Sequence, residues 1–100
     1  MNISLTQNGT EITIKLEGRL DTSTAPELEA KLDTIPDDVT ALNFDFEELH
    51  YISSAGLRVM LASQKKMNAA GGKMVIRKPN EIVMEVFDAT GFSDILTIEE

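Results

Sequence analysis

Asn8-Gly9-Thr10-Glu11-Ile12-Thr13-Ile14-Lys15-Leu16-Glu17 is the stretch on which the fold turns. Ile12, Ile14 and Leu16 alternate with Thr13, Lys15 and Glu17, the two-residue period of a strand with one buried face. Ile3 and Leu5 alternate in the same way upstream. Asn8-Gly9 between them supplies the positive-φ pair that a tight type I′ turn requires. The chain therefore opens with a β-hairpin whose second strand runs over Glu11–Leu20.

Beyond it the period changes. Thr24-Ala25-Pro26-Glu27 reads as a helix start, with Thr24 as cap, Glu27 reaching back in a capping box and Pro26 tolerated in the first turn. Leu28, Leu32 and Ile35 then form one apolar stripe, which Pro36-Asp37-Asp38 ends. Val39–Phe46 reads as a strand with Leu42, Phe44 and Phe46 on one face, and Asn43 and Asp45 on a side wetted toward its end. A second helix begins near Ser54, turns Leu57, Met60, Leu61, Gln64 and Met67 inward, and stops at Gly71-Gly72. Lys73–Lys78, with Met74-Val75-Ile76, is a short strand. Asn80 caps a third helix over Glu81–Ala89 with Ile82, Val83, Val86 and Phe87 inward. Thr90-Gly91 stops it, and Phe92–Ile98 is a terminal segment with room for one short strand. Met60, Met67, Met74 and Met84 fall at core or near-core positions.

The order ββαβαβα, with a possible final short strand, gives an α/β fold. Its sheet is mixed and mostly parallel after the N-terminal hairpin, and about three helices pack on it. One hundred residues, 42% of them hydrophobic, suffice for one core, so residues 1–100 form a single domain.

Composition excludes several chemistries. With no cysteine and only His50, thiolate catalysis, cysteine or His-rich metal sites and His-pair acid/base work are out. The N-terminus lacks the basic start and apolar run of a secretory signal, and no stretch approaches the roughly 18 apolar residues of a bilayer span. The expected location is the cytoplasm. Nine Lys+Arg against 17 Asp+Glu give a formal charge of −8, which repels nucleic acid and anionic membranes and suits a partner with a basic patch. No cofactor or metal is implied.

Tyr51-Ile52-Ser53-Ser54-Ala55-Gly56-Leu57-Arg58 carries the functional question. Small residues at a strand-to-helix junction let the backbone turn closely and leave the first helical amides open. Serines there serve as caps on stability grounds alone. A serine nucleophile needs a base and an orienting third group. His50 has no partner at such a spacing, it reads as a surface loop residue, and the Gly-x-Ser-x-Gly elbow is absent, so an enzyme is not expected.

Ile52-Ser53-Ser54-Ala55-Gly56-Leu57-Arg58 resembles the phosphorylation segment of the anti-anti-sigma factors, or anti-sigma factor antagonists, of the STAS domain family. There a common form is Asp-Ser-Ser/Thr-Gly-Leu at the start of the second helix, with the first serine phosphorylated. Gly18-Arg19-Leu20-Asp21-Thr22-Ser23-Thr24-Ala25 resembles the family's Gly-x-Leu/Ile-Asp segment, and Asn43-Phe44-Asp45-Phe46 its hydrophobic-Asp-hydrophobic strand. Aligned on Gly56-Leu57, Ser54 takes the phosphorylated position and Ser53 stands where an acidic residue is usual, leaving Ser53 as the second choice.

The resemblance implies a bacterial partner switch. The unphosphorylated chain binds an anti-sigma factor with serine/threonine kinase activity and frees its sigma factor. Phosphorylation at Ser54 ends the binding, and a serine phosphatase restores it. ATP and metals belong to those partners. The implied contact surface is Asp21, Thr22, Ser23, Ser53, Ser54, Ala55, Gly56 and Arg58, with Tyr51 a half-buried structural neighbour. A scaffold or accessory subunit of a transport or signalling complex, keeping Ser54 only as a cap, is the alternative.

Overall fold

The computed structural model describes residues 1–99. Its elements are β1 (Asn2–Asn8), β2 (Glu11–Leu20), α1 (Ala25–Leu32), β3 (Ala41–Ile52), α2 (Ser54–Ala69), β4 (Lys73–Arg77), α3 (Glu81–Thr90) and β5 (Ile98–Glu99), with a 3₁₀ turn at Phe92–Asp94. The five strands lie in sequence order in one sheet. β1 is antiparallel to β2, and every later pairing is parallel. The expected mixed sheet, three helices and short last strand are all present.

The hairpin turn differs in type. Asn8 pairs with Glu11, so the loop residues are Gly9 and Thr10. Only Gly9 has positive φ, at 64°. A glycine at the first loop position alone marks a type II′ turn, whose twist also suits a hairpin.

β2 keeps its alternation throughout, burying Ile12, Ile14, Leu16 and Leu20. β3 does not end at Phe46 but continues to Ile52, so His50 is an exposed strand residue rather than a loop residue. Ten residues of β2 lie along twelve of β3, and the register slips between Lys15 and Glu17 and again between Gly18 and Arg19. Each slip is a β-bulge that adds one residue to β3. The inward side chains of β3 therefore fall at Leu42, Phe44, Phe46, Leu49 and Ile52, a spacing that stops looking like a strand after Phe46. Asn43 is 3% exposed, packed between the register partners Thr13 and Val75 rather than wetted.

All three helices cover the face that carries these apolar residues. Phe46 reaches both Phe44 and α3's Phe87, at ring separations of 6.1 and 6.4 Å. α3 presents Val83 and Phe87 inward, which turns Ile82, one helical step (100°) away, out to 54% exposure, and leaves Val86 half-buried. Met60, Met67 and Met74 are core residues, and Met84 packs at its margin.

α1 stops at Leu32, earlier than its stripe suggested. The Thr34 hydroxyl takes the Lys31 carbonyl at 2.6 Å, and a residue preceding proline, here Ile35, disfavours helical backbone. β4 ends at Arg77 because Lys78 adopts φ 56°.

Candidate functional site

The site lies where β2 and β3 deliver the chain to α1 and α2. Leu20 pairs with Ile52, and the Ser53 amide donates to the Leu20 carbonyl at 2.9 Å. This bond brings the Asp21-Thr22-Ser23 loop beside the Ser53-Ser54 junction, at one end of the sheet as the sequence suggested.

Ser53 is the N-cap residue of α2, with extended backbone (φ −100°, ψ 178°), and Ser54 is the first helical residue. Their side chains have opposite fates. The Ser53 hydroxyl is buried, makes no capping bond and has no hydrogen-bond partner among the described residues, whereas Ser54 is exposed. Ala55, Gly56 and Leu57 are buried, and Arg58, one turn on, is exposed. A β-carbon on Gly56 would lie 2.7 Å from both Leu20 Cγ and Ile52 Cγ1, so only glycine lets the first turn of α2 sit this close to the strand ends. The Leu57 amide bonds to the Ser53 carbonyl at 2.9 Å, and the amides of Ser54, Ala55 and Gly56 before it have no carbonyl one turn back within the helix to accept from them.

The neighbouring loop is organised by Asp21, not by a capping box. Asp21 Oδ1 accepts from the Ser23 hydroxyl at 2.7 Å and from the amides of Ser23 and Thr24 at 3.0 and 3.2 Å. The Ser23 hydroxyl above all, with these amides and the Thr24 hydroxyl, holds the Asp21 carboxyl below its ordinary pKa, outweighing the desolvation that acts the other way. The Thr24 hydroxyl turns back into the loop, donating to the Arg19 carbonyl at 2.8 Å and accepting from the Asp21 amide at 2.9 Å, and makes no helix cap. Thr22 and Ser23 are left exposed.

Arg19 lies over the Tyr51 ring, 4.8 Å from its centroid, a contact visible only once the register pairs the two residues. A groove of about 560 Å³ between α1 and α2 opens beside the site, with Thr22, Pro26, Ala55 and Arg58 among its lining residues. Among the described residues no three His, Asp or Glu side chains converge as a metal site would need. No helix there is long and apolar enough to cross a membrane.

The site is thus a serine-bearing helix start flanked by a carboxylate-tied loop and an open groove. The anti-sigma-B factor antagonist of Bacillus subtilis is 29% identical over 98 residues, covering 98% of this chain and 90% of that protein. The anti-sigma factor antagonist SpoIIAA in its unphosphorylated form superposes with a TM-score of 0.84 at 24% identity, over 97% of this chain and 87% of that one. The phosphorylated form of the Bacillus cell fate determinant SpoIIAA gives 0.77 at 23% identity, over 97% of this chain and 90% of that one. The STAS domain model matches residues 2–100, and the chain belongs to the STAS domain family.

Proposed function

We infer that this chain is an anti-sigma factor antagonist that works as a phosphorylation-controlled binding switch. In its unphosphorylated form it binds an anti-sigma factor with serine kinase activity and releases the sigma factor. A phosphate on Ser54 ends that binding, and a serine phosphatase removes it. The chain acts as a regulatory binding protein of the cytoplasm rather than as an enzyme.

The observation that carries this reading is the split between the two serines. An acceptor hydroxyl must enter a kinase active site, which the exposed Ser54 can do and the buried Ser53 hydroxyl cannot. The exposed Thr22, Ser23 and Arg58 supply the surrounding contacts. Asp21, Ser53, Ala55 and Gly56 hold the surface in place from below.

Phosphate suits a helix N-terminus, where amides and dipole attract an anion, so modification costs the fold little. Its roughly −1.5 to −2 charges act on the partner instead. An unpaired charge buried at an interface costs on the order of 2–5 kcal/mol. That is roughly a 30- to several-thousand-fold loss of affinity, enough for an on/off response.

The test is intact-mass spectrometry after incubation with the partner kinase and ATP, followed by fragmentation. One phosphate on Ser54, absent from Ser54→Ala, is the expected result. A phosphate on Ser53, or none while binding persists, would overturn the assignment of the switch to Ser54.

A further inference from the structure

Among the described residues the helices cover one face of the sheet and none covers the other, where Asn43 is nonetheless closed off between its register partners. β2 to β5 are parallel, and parallel sheets are ordinarily covered on both faces. On the bare face the register sets Lys15, Asp45, Arg77 and Glu99 in one row across four adjacent strands. Their signs alternate, plus, minus, plus, minus, and the row as a whole is neutral in a chain of formal charge −8. Arg77 Nε lies 3.5 Å from Glu99 Oε1, and the Lys15 and Arg77 side chains are 40% and 44% exposed.

An even, alternating row has a property that an odd or uniform row lacks: reversed, it is complementary to itself. Consider a two-fold axis parallel to the strands, between β3 and β4 in the plane separating two such faces. It places Lys15 opposite Glu99 of the second copy and Asp45 opposite that copy's Arg77, and the same two pairings recur by symmetry. Like signs never meet.

We propose that the bare sheet face is a self-association surface on which a second copy of this chain docks by two-fold symmetry, charge row over charge row. Exposed ion pairs are individually weak, so the association is sensitive to salt and concentration. Ser54 belongs to the helix-covered side and stays free, and the proposal does not depend on the phosphorylation reading.

Sedimentation equilibrium over a concentration series at about 0.1 M and about 1 M salt tests it, screening being several-fold shorter-ranged in the second. A dimer at low salt that dissociates at high salt is expected. Asp45→Lys sets two cations opposite each other, and Arg77→Glu two carboxylates; each variant alone should dimerise about tenfold more weakly or worse. Mixed in equal amounts, the two variants should pair with each other, because every position in the row then faces the opposite sign. Circular dichroism establishes that each variant is folded. A wild-type chain that stays monomeric throughout, a dimer indifferent to both reversals, or variants that fail to rescue each other would overturn the proposal.

Discussion

Asn80 and Leu49, 31 residues apart, are joined by the Asn80 Nδ2, which donates to the Leu49 carbonyl at 3.0 Å. The same side chain caps α3, its Oδ1 accepting from the Val83 amide at 2.8 Å. β4 pairs with β3 only as far as Asp45, so the far half of β3 has no β4 neighbour. Asn80 supplies that half with an attachment on this side. Asn80→Ala loses both bonds and should destabilise the chain by about 2 kcal/mol, roughly 1 for the cap and roughly 1 for the bond. Asn80→Asp keeps the cap and should lose about half as much. Urea unfolding, read as a midpoint shift at constant slope, checks both.

Gly56→Ala pits two effects against each other. Alanine gains about 1 kcal/mol of helix propensity. Its β-carbon, 2.7 Å from Leu20 and Ile52, must displace buried core, which costs about 1–3 kcal/mol. The expected net is a loss of about 1 kcal/mol, measured in the same denaturation. A more stable variant would show that α2 is free to shift outward.

The two serines should separate in binding and in stability. Ser54→Asp should weaken anti-sigma factor binding by at least about 30-fold in a titration by calorimetry. Ser53→Ala removes a buried hydroxyl that bonds to nothing, so it should leave stability within about 0.5 kcal/mol or raise it, and leave phosphorylation intact.

The loop at Asp21 should loosen in acid. Its folded pKa lies below the ordinary 3.8, so its ionised form favours the fold. That contribution is fully present above 3.8 and fades as pH falls through this value toward the lower folded one. Asp21→Asn should flatten this limb of the stability profile, followed by thermal unfolding from pH 6 to about pH 2.

Much of this was legible because β2 never breaks its alternation and because glycine and proline punctuate the helices. The failures have particular causes. The far half of β3 was hidden because two bulges convert a spacing of two into a spacing of three at Leu49 and Ile52. Thr24 carries the right residue type for a cap, but the Arg19 carbonyl and Asp21 amide compete for its hydroxyl. Ser54 was nominated by its motif, yet nothing in sequence spacing separates an exposed hydroxyl from a buried one next door. The Arg19–Tyr51 stack, likewise, exists only through the register.

The paired bulges have a consequence for how the chain tolerates changes of length. Removing one residue between Phe46 and Ile52 would erase one bulge and return a spacing of three to the ordinary two, leaving Leu49 and Ile52 inward. Ser53 and Ser54 would keep their surroundings, while the local bend and twist that the bulge adds would be lost. Within the unbulged run from Leu42 to Phe46 the same removal would turn the side chains that follow to the other face. A residue inserted at Gly71, where even a β-carbon meets nothing within 4 Å, disturbs neither. Variation in length should therefore be tolerated in the turns and at the bulges, and the run from Ala41 to Phe46 held to a fixed count.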